Sequence, residues 1–83
     1  MQIAVTFQIP IGTEQRAREL NELEHIRTVL NSTLASHGCH QFTKQDFAES
    51  VQWLTIGSQV ELALVTNCLK SIKHQHTIVK IEE

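Results

Sequence analysis

The chain is short of the residues that mark several protein classes. Three Gly and one Pro in 83 residues exclude a collagen-like or linker-like polymer. Two cysteines, Cys39 and Cys68, are too few for the disulfide framework that staples small secreted domains. No apolar run approaches the roughly 18 to 20 residues that cross a bilayer. The stretch from Met1 to Phe7 has no basic segment ahead of its apolar residues, so no secretory signal is expected. With so few cysteines, that points to a reducing cytoplasm and no membrane association. Catalytic signatures are missing too: there is no Gly-rich phosphate loop, no Gly-x-Ser-x-Gly and no His-Glu-x-x-His.

What remains is an ordinary globular balance, with 41% hydrophobic and 19% charged residues, which argues against disorder. At this length one domain is expected, spanning residues 1–83. The net charge is −2, so binding to nucleic acid would need a local basic patch. Protonating all five histidines would carry the formal charge to +3.

Periodicity supplies the elements. Ile3, Val5, Phe7 and Ile9 alternate with Gln2, Ala4, Thr6 and Gln8, the pattern of a half-buried strand ended by Pro10 and Gly12. Thr13 is the expected N-cap of an amphipathic helix carrying Ala17, Leu20, Leu23, Ile26, Leu30 and Leu34 at spacings of three and four. Gly38 is its expected stop. Residues 39–44 suggest a short edge strand, and 45–50 a turn or irregular loop. Val51 to Ile56 is rich in β-branched and aromatic residues and reads as a strand.

Ser58 and Glu61 form a capping box that opens a second helix. That helix is expected to bury Leu62, Val65, Leu69 and Ile72, with Cys68 a small buried residue beside them and Lys70, Lys73 and His74 in the last turn. Thr77 to Glu82 alternates again as a final strand. The order β-α-β-β-α-β implies a ferredoxin-like α+β sandwich with antiparallel strand order 4-1-3-2 and both helices on one face.

This topology limits the chemistry. His37, Cys39 and His40 form one group of ligand-type residues, and His74 and His76 another. The fold sends them to opposite rims of the sheet, about 20 Å apart by strand length, so one ion cannot join them. The group His37, Cys39 and His40 is at best a weak metal site, and no cofactor is expected. The same separation argues against a Cys39–Cys68 disulfide. Base stacking of the RNA-recognition-motif kind fails on the first strand, whose outward Gln2, Ala4, Thr6 and Gln8 include no aromatic residue.

Association surfaces remain. If Leu54 and Ile56 face the helices, Trp53 lies on the open face with Thr6, Gln8, Ile78 and Lys80, a weakly polar surface with one aromatic anchor. The opposite register places Trp53 in the core. The leading expectation is a non-catalytic regulatory or inhibitory protein that binds a protein partner, or itself as a homodimer, through this face or the last strand's edge. Compact proteins of this type are common among phage and mobile-element inhibitors. The alternative is a nucleic-acid-binding protein or small ribonuclease using Lys70, Lys73, His74 and His76.

Overall fold

A computed structural model describes residues 1–82. The elements are β1 (Gln2–Gln8), α1 (Thr13–Ser36), β2 (Thr43–Asp46), β3 (Ser50–Ile56), α2 (Gln59–Leu69) and β4 (His76–Ile81). The strands form one antiparallel sheet in the order β2-β3-β1-β4, the ferredoxin-like arrangement expected from the sequence. Both helices pack on one side, where Leu23, Leu30 and Leu34 of α1 and Val65 and Leu69 of α2 close over the strands. At about 1.5 Å per residue, the 24 residues of α1 run about 36 Å.

The ends of the helices are set locally. Gly12, not Thr13, is the N-cap of α1: Thr13 is already helical, and the Arg16 amide donates to the Gly12 carbonyl at 2.7 Å. At the other end Gly38 adopts φ +72°, a left-handed conformation that disfavours side chains. The Cys39 amide donates to the Leu34 carbonyl at 2.8 Å and the Gly38 amide to that of Ala35 at 3.1 Å, which completes a Schellman stop. Helix α2 opens with the expected capping box: Ser58 Oγ accepts from the Val60 amide, and the Glu61 carboxylate accepts from the Ser58 amide at 2.6 Å.

The core sits on the helix side of the sheet. Register pairs Val5 with Trp53 and Phe7 with Val51, so these four share the face of Ile3 and Ile9. Trp53 is fully buried, its ring 4.5 Å from Phe7 and 5.9 Å from Phe42. Thr55 is the one buried polar residue of the core, and its hydroxyl donates to the carbonyls of His40 and Gln41, both at 3.1 Å. That satisfies the group that would otherwise oppose this register.

Several sequence expectations are corrected. Strand β3 has the register that puts Trp53, not Leu54 and Ile56, under the helices. Strand β4 is also reversed: Ile78 pairs with Val5 and Lys80 with Ile3, so both lie on the helix side, not on the open face. The second strand lies at Thr43–Asp46, later than the 39–44 expected, because Phe42 is drawn into the core ahead of it. Its entry is held by α1: Asn31 Oδ1 accepts from the Phe42 amide at 2.7 Å, while Asn31 Nδ2 and Arg27 donate to the Phe42 carbonyl at 3.2 and 3.1 Å. Helix α2 ends at Leu69, so Lys73 and His74 belong to the following loop rather than a last turn. Cys68 is exposed, not buried.

Two predictions follow from this packing. Trp53→Ala removes the largest fully buried side chain and should cost about 3–5 kcal/mol of unfolding free energy, read from urea denaturation. The Glu61 carboxyl is held down at about 2, first by its hydrogen bond with the Ser58 side chain and then by that to the Ser58 amide. Its cap contribution is therefore complete above the ordinary carboxylate range near 4.5 and is lost as pH falls towards about 2. Glu61→Gln should flatten the fall in the urea midpoint across that window.

Candidate functional site: a charge-free sheet face

The corrected registers define the open face row by row. Gln2 lies between Ile56 and Ile81; Ala4 lies between Leu54 and Val79, with Thr43 beyond Leu54; Thr6 lies between Gln52 and Thr77, with Gln45 beyond; Ser50 pairs with Gln8. No side chain in this set is charged. The ionisable residues of the strands, Lys44 and Asp46 in β2 and His76 and Lys80 in β4, all point to the helix side. There Lys44 reaches Glu24 of α1 at 3.4 Å and Asp46 at 4.0 Å. Arg27 also pairs with Glu24, and its hydrogen bond, ahead of the two cations' charge, holds the Glu24 carboxyl below the usual range.

The face divides into two halves. Leu54, Ala4 and Val79, with Ile56 and Ile81 on the next row, make a mainly apolar half at the start of β1, interrupted by Gln2 between the two isoleucines and edged by Thr43. Gln45, Gln52, Thr6, Thr77, Gln8 and Ser50 make a polar half at its end. Ile56, Val79 and Ile81 are exposed by 59%, 47% and 44%, a cluster of bare aliphatic side chains on a surface that normally carries polar groups. Ala4 is almost covered by its neighbours, at 5%.

Of the residues expected to bind a partner, Thr6 and Gln8 lie on this face, whereas Trp53, Ile78 and Lys80 do not. Val79, Ile81, Leu54 and Ile56 take their place. The edges differ as well. Strand β2 is four residues long, fully exposed and carries two charges, features that blunt pairing. Strand β4 is longer and offers an open backbone edge, flanked by the Lys80–Glu82 pair at 3.6 Å.

The basic patch contracts in three dimensions. Lys70 and Lys73 are exposed, but His74 lies between two carboxylates, with Nδ1 2.5 Å from Glu19 and Nε2 3.1 Å from Glu22. His76 packs its ring 5.7 Å from that of Phe7 and turns Nδ1 to the His74 carbonyl at 2.9 Å. Among the described residues Lys70 and Lys73 make no ion pair, and Lys73 shares a cleft with Glu22, which offers little to a phosphate backbone.

The group His37, Cys39 and His40 does not converge either. His37 Nδ1 engages the Thr33 carbonyl at 2.8 Å, and the Cys39 thiol faces the His37 carbonyl at 3.8 Å. Partial burial, followed by the Glu61 carboxylate, pushes the Cys39 thiol up, which opposes nucleophilic activation. Among the described residues, the one group of three or more His, Cys, Asp and Glu with donor atoms within 4.8 Å of one another is Glu19, Glu22 and His74. Sequence spacing did not reveal it, because it joins α1 to a loop some 50 residues later.

No described helix is long and apolar enough to cross a membrane. Compared with known proteins, the chain matches no family model, no curated protein and no solved structure.

The two thiols should differ in reactivity. Under limiting iodoacetamide near neutral pH, mass spectrometry should find Cys68 modified well before Cys39, and Cys39 should catch up only in denaturant.

Proposed function

We propose that this chain is a small non-catalytic binding protein of regulatory or inhibitory type, and that it associates through its open sheet face with a second copy of itself. The observation that carries this reading is the segregation of charge: every ionisable strand residue faces the helices, and the opposite face carries none. A solvated sheet face gains solubility from charge. A face that is to be covered is stabilised by lacking it, since a buried, unpaired charge is costly.

The same pattern selects the occupant. A charged partner surface would be desolvated against this face without compensation, whereas an identical face meets it without repulsion. A two-fold axis parallel to β1 lays the apolar half on the apolar half and keeps the polar rows together, as in aligned sheet packing. Three strands of six or seven residues and one of four, spaced about 4.8 Å apart, give a face on the order of 400 Å². That is about half of what each partner contributes to a standard stable interface, so a reversible dimer in the micromolar range is expected. A different protein with an equally uncharged sheet face would compete for the same surface, and such exchange is how a small regulator of this kind would act. Two unpaired thiols, at Cys39 and Cys68, suit a reducing compartment such as the cytoplasm.

Sedimentation velocity across a concentration series tests this. The chain should pass from monomer to dimer in the micromolar range. Val79→Glu with Ile81→Glu, both at exposed positions, should keep it monomeric with an unchanged circular dichroism spectrum. A wild-type chain that stays monomeric at millimolar concentration, or a double variant that dimerises as well as the wild type, contradicts the proposal.

A further inference from the structure

A separate cluster lies on the helix side, where the loop after α2 passes along α1. Glu19 and Glu22 are three residues apart and so project from one flank of α1. The His74 ring meets both, Nδ1 against Glu19 and Nε2 against Glu22, at 2.5 and 3.1 Å. The imidazole is well covered, with its side chain 14% exposed, and Glu19 is half-buried beside it.

This arrangement poses a problem of valence. A neutral imidazole has one N–H and one lone pair. Whichever nitrogen lacks the proton turns its lone pair towards a carboxylate, and the two carboxylates, one turn apart, repel each other. A second proton on the ring answers this, and so does a metal cation, which accepts the free nitrogen's lone pair and one oxygen from each glutamate. One donor atom of each residue already lies within 4.8 Å of the other two. Metal bonds of about 2.0–2.2 Å separate ligand atoms by roughly 3–4 Å, so rotamer-scale movement closes the site.

We propose that Glu19, Glu22 and His74 form a binding site for a divalent transition-metal ion of the zinc class. One imidazole nitrogen with two carboxylates suits zinc, manganese, iron or cobalt. Calcium and magnesium prefer oxygen ligands alone. Three protein ligands leave a position open to water or to an added ligand. Glu22 and His74 line a cleft of about 540 Å³ that His25, one turn beyond Glu22, also lines. Arg18 and Lys73 border the same cleft, and their positive charge opposes a bound cation. The bound ion would tie the loop before β4 to α1. The site lies on the helix side of the sheet and is independent of the association face.

The test uses the full chain without a histidine tag, stripped of metal with EDTA, and titrated with Zn²⁺ by calorimetry and with Co²⁺ by visible absorption. One ion per chain is expected, with cobalt d–d bands. His74→Gln, and separately Glu19→Gln with Glu22→Gln, should each weaken binding roughly tenfold or more. Glu24→Gln should leave it unchanged, because that carboxylate pairs with Arg27 and Lys44 elsewhere on α1. Saturating Zn²⁺ should also raise the wild-type Tm by about 10 °C. If His74→Gln does not fold by circular dichroism, the double glutamate variant carries the comparison. The proposal is overturned if the wild type binds neither ion at millimolar concentration, which leaves the cluster a salt bridge only. It is equally overturned if the folded variants bind as tightly as the wild type.

Discussion

The packing of Trp53 between Phe7 and Phe42 determines most of what this protein presents to its surroundings. Side chains on a strand alternate faces, so fixing one residue of β3 fixes all seven. Once the indole lies under the helices at 4.5 Å from Phe7, Leu54 and Ile56 have no choice but the open side. Aromatic contacts of this kind contribute about 0.5–1.5 kcal/mol beyond the area they bury, and the area itself is the largest available to a single side chain here. Against that, the opposite register would bury two aliphatic side chains and expose Trp53 to water.

Helix α1 turns this preference into a rigid layer. Near its start Arg16 donates to the carbonyls of Phe47 and Ala48 at 2.9 and 2.6 Å, holding the turn between β2 and β3. In its middle Arg27 and Asn31 fix the backbone at Phe42, which seats that ring against Trp53. Glu24 draws Lys44 to the helix side. The polar residues of α1 thus hold the hairpin and collect the charge of β2 on the covered side. The bare face opposite is a product of the same contacts, which links the folding of the core to the surface proposed for association.

The element order, the stop of α1 and the start of α2 were legible because each rests on local chemistry: alternation in β1, a glycine at 38, and the Ser58–Glu61 box. The face of β3 was not. Val51-Gln52-Trp53-Leu54-Thr55-Ile56 places large apolar residues on both phases, and only the partners of Thr55, two carbonyls from the segment before β2, show that its hydroxyl can be buried. Ile78 and Val79 present the same ambiguity in β4. The meeting of His74 with Glu19 and Glu22 was hidden for a different reason. It depends on α2 stopping at Leu69, which frees the following loop to fold back on α1, and no local signal between Leu69 and His74 marks that stop.

Acrylamide quenching of the single tryptophan, measured across a wide range of protein concentration, tests the orientation of β3 most directly. A buried Trp53 should give a blue-shifted emission with weak quenching that is the same at low and high protein concentration, and strong quenching only in urea. Efficient quenching in the dilute native chain that declines as the protein associates would place Trp53 on the open face and contradict it.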